Sequence, residues 1–230
     1  MASRPRAVAD RRALITGANR GIGRAVAQRL VAEGLEVLVA GRDEASIREA
    51  ADELGATPVR LDVRDPAGVA AAAQRTGPVD VLVNNAAILD EGQDPLTEEE
   101  ERVTALLDTN LLGAWRTCRA YLPGMLAADW GRIVNVSSGA GSFAQGLWAG
   151  APAYSVSKAG LNALTVVLAE RLRGTGIKVN AANPGTVGTR MAPYADRTAE
   201  QAAEHIARLA LLPDDGPTGG FFHEGRSEPW

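Results

Sequence analysis

The chain has 230 residues, enough to bury a substantial core around one large sheet, and its 46% hydrophobic content is that of an ordinary globular protein. A net charge of −4 without any Lys/Arg block argues against nucleic acid, polyphosphate or membrane surfaces as partners, and the single cysteine, Cys118, excludes an intrachain disulfide and a cysteine zinc site. Met1 to Arg12 is charged and has no apolar signal core, and no run approaches a membrane-spanning length, so the expected location is the cytoplasm.

Apolar strand segments alternate with helical ones without a linker-like break, the pattern of an α/β protein whose parallel sheet is covered on both faces. Strands are expected near 13–16, 36–40, 57–61, 79–83, 131–136, 177–182 and 219–222, and helices near 22–33, 44–54, 66–75, 98–127, 153–173 and 197–211. Pro123 and Gly124 fall late in the fourth helix and are expected to bend or end it. The reading is of one domain over 1–230 with no internal repeat, its ligands gathered at the carboxyl ends of the strands.

The first strand, Ala13-Leu14-Ile15-Thr16, runs into Gly17, Gly21 and Gly23 and then the amphipathic segment Arg24 to Glu33. A glycine turn at the start of a helix lets backbone approach a pyrophosphate and aims free N–H groups at it. The spacing here is G-x-x-x-G-x-G, which differs from the G-x-G-x-x-G fingerprint. Further along, Tyr154-Ser155-Val156-Ser157-Lys158 places a phenol and an ammonium four residues apart on one helix face. A nearby cation favours the phenolate and so lowers the tyrosine pKa, which makes the pair a tunable acid/base. His205 and His223 have no matching acidic or cysteine ligands in the sequence, and no metal site is expected.

Thr16-Gly17-x-x-x-Gly21-Ile22-Gly23, Asn84-Asn85-Ala86, Asn110, Ser138 and Tyr154-x-x-x-Lys158, in this order, resemble the compact single-domain short-chain dehydrogenase/reductase family. The resemblance runs from about Ala13 to Phe222 and implies a Rossmann-like, doubly wound, seven-stranded parallel sheet of order 3-2-1-4-5-6-7. It implies a pyrophosphate turn of Gly17, Asn19, Arg20, Gly21, Ile22 and Gly23. The acidic position of NAD-preferring relatives is Gly41 here, and Arg42 with Arg20 makes a two-arginine clamp of the NADP-preferring kind, Asp43 beside it being a contrary sign. Asp62 and Val63 are implied adenine contacts, with capping of the helix that starts near Asp65 as the less favoured alternative for Asp62. Asn85 and Ala86 belong to the family's N-N-A-G turn, in which Ala87 replaces the glycine, and Pro184, Gly185, Val187 and Thr189 belong to its P-G turn at the nicotinamide.

The chemistry implied by the resemblance makes Tyr154 the proton donor, with Lys158 tuning it and holding the nicotinamide ribose. Ser138, preferred over Ser137, bonds the substrate oxygen, and Asn110 helps hold a water that relays protons to Lys158. Gly146 to Pro152 forms an enlarged segment over the substrate, where Trp148 is either a pocket wall or a core cover, and a short lid lies near 188–200. The tail from Leu212 to Phe222 looks like that of carbonyl-reductase-like members and ends in a final edge strand. The implied activity is NADPH-dependent reduction of small or medium aldehydes and ketones by a homodimer or homotetramer. An NAD-linked alcohol dehydrogenase using NAD(H) and a non-catalytic nucleotide-binding regulator are the alternatives.

Overall fold

The computed structural model describes residues 10–230; the reading of the N-terminal segment as free of a signal core lies, up to Ala9, outside the described residues. The chain runs β1 (Arg12–Thr16), α1 (Gly21–Ala32), β2 (Glu36–Gly41), α2 (Glu44–Leu54), β3 (Thr57–Arg60), α3 (Pro66–Thr76), β4 (Val81–Asn84) and α4 (Glu100–Leu107). It continues through a π-helical turn (Asp108–Leu112), α5 (Gly113–Ala128), β5 (Gly131–Val136), a 3₁₀ turn (Gly139–Gly141), α6 (Pro152–Arg171), β6 (Ile177–Ala182), α7 (Ala199–Ala210), β7 (Phe221–His223) and β8 (Arg226–Glu228).

The strands form one Rossmann-like sheet of order β3-β2-β1-β4-β5-β6-β7-β8. Pairing is parallel from β3 through β7, with β1 in register against β2 and β4, and antiparallel between β7 and β8. Because successive side chains of a strand point to opposite faces, inner strands covered on both sides are largely apolar on both faces. Ala13, Ile15, Val81, Val83, Val134 and Val136 enter one core with α1 and α7, through Val26, Leu30 and Ile206. Leu14, Leu82 and Ile133 enter the other, with Tyr121 and Met125 of α5 and Leu172 just beyond α6. Thr16, Asn84, Ser137 and Asn183 mark the carboxyl ends of β1, β4, β5 and β6, and this leaves functional groups along one rim of the sheet. No helix of the described residues is long and apolar enough to cross a membrane.

Three local expectations are corrected. The helix expected over 98–127 is two helices joined by the π turn, in which Gly113 N–H bonds back to Asp108 O, five residues away. One extra residue in a helix rotates everything beyond it, and such turns recur at functional sites. Pro123 does not end α5, which continues to Ala128 and stops at Asp129 in the left-handed conformation (φ 48°). Nor is β7 the edge of the sheet. A two-residue turn at Glu224 (φ 49°) and Gly225 (φ 78°) folds β8 back onto it, and left-handed dihedrals at both turn positions match the twist of paired strands.

Candidate active site

The rim carries a cleft of about 1150 Å³ that runs from the end of β3 across the glycine turn to the loops after β5 and β6. Its first wall is the turn between β1 and α1, where Gly17 (φ 64°) and Gly21 (φ 52°) are both left-handed. A Cβ on Gly23 would lie 2.4 Å from Asn85 Nδ2 and 2.5 Å from Gly17 O, so only glycine lets the helix start this close to the strand end. Asn85 closes the turn from the other side, donating from Nδ2 to the carbonyls of Thr16 (3.0 Å) and Gly17 (3.1 Å). Thr16 Oγ1 in turn accepts the N–H groups of Asn85 and Ala86, both at 3.0 Å. The Asn85 side chain is thus spent on shaping the turn.

Asp43, Asp65 and Thr198 cap α2, α3 and α7 with side-chain acceptors, whereas α1, like α6, has no side-chain cap and no acid in its first turn. Its free N–H groups and positive dipole end therefore face the cleft without a protein anion, a setting that fits a phosphate. The caps also settle two ambiguities. Asp65, not Asp62, caps α3, and Asp43 beside Arg42 is committed to Ser46 N–H at 2.8 Å.

Asp62 lines the cleft with its carboxylate held by Arg64, Nε on Oδ1 at 3.1 Å and Nη2 on Oδ2 at 2.8 Å. That bond holds the acid below the usual carboxylate range. Arg20 and Arg42 also line the cleft, both exposed; neither side chain makes a hydrogen bond or ion pair among the described residues, and Arg42 acts on Asp62 through space. Gly41 is walled in: a Cβ there would sit 2.7 Å from Ile47 Cγ2.

At the other end of the cleft, Tyr154 and Lys158 project from the first turns of α6, buried to 8% and 3% exposure. Lys158 Nζ donates to Val136 O at 2.8 Å and stands 5.6 Å from the centroid of the Tyr154 ring. Burial brings the ammonium down to about 8. Burial pushes the Tyr154 phenol up, opposed by its hydrogen bond with Ser138, so desolvation and not the neighbouring ammonium sets the phenol here. Ser138 opens the 3₁₀ turn after β5 and its Oγ accepts Ala140 N–H at 3.2 Å. Ser137 is buried with its hydroxyl bonded to Asn162 Oδ1 at 2.5 Å, which leaves Ser138 as the serine beside Tyr154.

Asn110 does not line the cleft. From the π turn its Oδ1 accepts Ile88 N–H at 2.8 Å, and its Nδ2 donates to Ile88 O at 2.9 Å and Ser157 Oγ at 3.0 Å. It staples the segment after β4 to α6. Gly23 also lies behind the surface, whereas Gly17, Asn19, Arg20, Gly21, Ile22, Arg42, Asp62, Val63, Asn85, Ala86, Pro184, Gly185, Val187 and Thr189 all line the cleft together with Ser138, Tyr154 and Lys158. Residues not singled out in the sequence join them, including Arg64, Thr109 and Gln145, as do Asn183 beside the P-G turn and Met191 and Tyr194 of the expected lid segment. Trp148 is a wall of the cleft, 39% exposed, its backbone N–H and C=O both bonded to Ser155 Oγ at 3.1 and 3.0 Å. His205 Nδ1 accepts Gly225 N–H at 3.2 Å, so Nε2 carries the proton given to Phe222 O at 2.9 Å. No group of His, Cys, Asp or Glu among the described residues is arranged to hold a metal ion.

A glycine-cradled helix start and a Ser/Tyr/Lys cluster at opposite ends of one cleft define a dinucleotide-linked α/β oxidoreductase. The short chain dehydrogenase family profile matches residues 11–200, and the chain belongs to that family. It is 39% identical over 212 residues to the oxidoreductase UcpA of Salmonella typhimurium, a match covering 88% of this chain and 74% of that protein. It is 35% identical over 185 residues to the 3-oxoacyl-[acyl-carrier-protein] reductase FabG of Escherichia coli, covering 78% and 74%. Among solved structures it is similar to a 3-oxoacyl-[acyl-carrier protein] reductase from Brucella melitensis with bound NAD, with a TM-score of 0.85, 30% identity and coverage of 93% of this chain and 89% of that one.

Proposed function

We propose that the chain is an NADPH-dependent reductase that converts the carbonyl of a small or medium aldehyde or ketone to an alcohol, working in the cytoplasm. The observation that carries the reading is the convergence of Ser138, Tyr154 and Lys158 at the end of the cleft that the uncapped α1 start and its glycine turn open. When bound, the reduced nicotinamide supplies the hydride. Ser138 and Tyr154 bond the carbonyl oxygen, and Tyr154 gives it the phenolic proton. Lys158, with a pKa of about 8, holds a proton close to its point of release and refills the phenol. Asn110 ties the Ile88 backbone to the hydroxyl of Ser157, the residue before Lys158, and helps hold the water that relays protons to Lys158. Lys158 and the turns at Pro184–Gly185 and Val187–Thr189 hold the nicotinamide end, Asp62 and Val63 the adenine end, and the segment near 188–200 closes over the substrate.

Arg20 and Arg42 favour NADPH, because two unpaired guanidiniums face the cleft and Ile47 blocks a side chain at Gly41. Fluorescence titration should show NADPH bound at least about tenfold tighter than NADH, and the R20A/R42A double variant should lose about a hundredfold in NADPH affinity with NADH unchanged. NADPH preference surviving in that variant would remove the clamp. The alternative of an NAD-linked alcohol dehydrogenase has one support, the NAD in the Brucella reductase. A screen in which only NAD-driven alcohol oxidation is found would favour it.

The assembly we expect is a homodimer or homotetramer whose subunits pair through α5 and α6. Leu112 at the end of the π turn with Trp115 and Leu126 of α5 form an exposed apolar stripe, and Val156, Val166 and Val167 another on α6. Sedimentation at micromolar concentration should give a dimer or tetramer, reduced in size by W115D/V167D; a wild-type monomer would sink this assignment.

A further inference from the structure

β8, the strand that the sequence did not announce, brings a carboxylate to the back of the cleft. Glu228 Oε2 accepts Gln145 Nε2 at 2.9 Å and Asn183 Nδ2 at 3.0 Å. Those two amides belong to different loops, the segment after Ser138 and the turn after β6, and both line the cleft. Asn183 extends the chain of contacts, because its Oδ1 accepts Gly185 N–H at 3.0 Å. Gln145 lies directly over Gly139, where a Cβ would be 2.5 Å from Gln145 Oε1 and 3.3 Å from Asn183 Nδ2. Beside these bonds, Ala144 N–H reaches Trp230 O at 2.9 Å, Ser142 Oγ reaches Pro229 O at 3.1 Å, and Trp230 stacks on Phe221 at 5.4 Å.

We infer that Glu228 is a positioning residue that latches the substrate loop (139–150) to the turn at 183–189, so that the serine side of the pocket and the turn facing the cofactor keep a fixed separation. A single oxygen bonded by donors from both loops ties the position of each to the other, and an ionised acceptor makes both bonds stronger than neutral ones. The loop between Phe143 and Ala149 is exposed throughout, so it has little packing of its own to hold it, and the strap supplies what packing does not.

This inference rests on the reading of the cleft as a carbonyl-reducing site, and its test has a part that does not. In the protein without ligand, Glu228→Ala should speed hydrogen exchange of the Ala144 and Gly185 amides together by about tenfold, one well-made hydrogen bond, and leave the Leu14 amide of the central strand unchanged. Glu228→Gln keeps an oxygen for both donors and should stay within about threefold of wild type. In turnover, E228A should raise the carbonyl KM about tenfold with kcat changed far less, and Q145A added to it should cost little more, since both break one latch. Unchanged exchange in E228A, E228Q behaving like E228A, or E228A and Q145A effects that add in full would each overturn the latch. Altered exchange in a protein that reduces no carbonyl compound would keep the latch and remove the proposed reaction.

Discussion

Tyr154→Phe should abolish carbonyl reduction, lowering kcat at least about a thousandfold, while NADPH affinity stays within about threefold of wild type. The substitution removes one oxygen from a buried ring and leaves its packing against Leu106, Ala151 and Ala153, so the fold has no reason to respond. What disappears is the hydroxyl proposed to share the carbonyl oxygen with Ser138 and to draw on Lys158 as its proton reserve. Because burial raises the phenol and Ser138 only partly opposes it, Tyr154 carries its proton at neutral pH in the ligand-free enzyme, the form that reduction needs. Oxidation of the alcohol needs the opposite form and should therefore rise with pH. Stopped-flow measurement of cofactor oxidation, beside a binding titration, separates the two effects. Turnover persisting in the variant would mean that another group donates the proton, and cofactor binding lost along with turnover would mean that Tyr154 serves the cofactor instead. The same experiment distinguishes an enzyme from a nucleotide-binding regulator, whose binding function would survive the loss of the hydroxyl.

The reason the sequence disclosed so much of this site is that its parts sit at element boundaries, where composition changes abruptly. Strand β1 carries the apolar run Ala13-Leu14-Ile15 and then yields to Thr16 and Gly17, and β5 is buried throughout and then yields to Ser137 and Ser138. Such changes are visible in one dimension. The π turn was not, since inserting one residue into a helix leaves the apolar periodicity on either side intact, and its signature, Asn110 bonded to Ile88 and Ser157, is a contact across 22 and 47 positions. β8 was missed for a different reason. Arg226-Ser227-Glu228 has neither apolar alternation nor β-branched residues, and its stability comes from pairing with β7 and from Trp230 on Phe221. Asn85 shows a third kind of gap: the residue was found and the location was right, but its amide points into the turn, holding Gly17. Identity fixed the neighbourhood, and only geometry assigned the bond.

Lys158→Met should produce an inactive protein that is more stable than wild type. The ammonium is buried, with Val136 O its one hydrogen-bond partner among the described residues, and its pKa falls from 10.5 to about 8 by desolvation. A drop of that size corresponds to roughly 3 kcal/mol of destabilisation while the lysine is charged, less about 1 kcal/mol for the hydrogen bond to Val136 that the variant gives up. Below pH 8 the side chain is protonated in both folded and unfolded chains, so the whole penalty is present. Between about 8 and 10.5 the unfolded chain still binds the proton that the folded one has released, and stability must rise with pH. The gain from K158M should thus amount to about 5 °C in melting temperature at pH 7 for a domain of this size and shrink steadily towards pH 10.5. Comparing the two proteins at each pH cancels every other titrating group. A variant less stable than wild type at pH 7, or a difference flat in pH, would show that Lys158 is not held at a cost. The expected result would mean that the fold carries a standing loss of stability at one residue, which only the chemistry of the cleft explains.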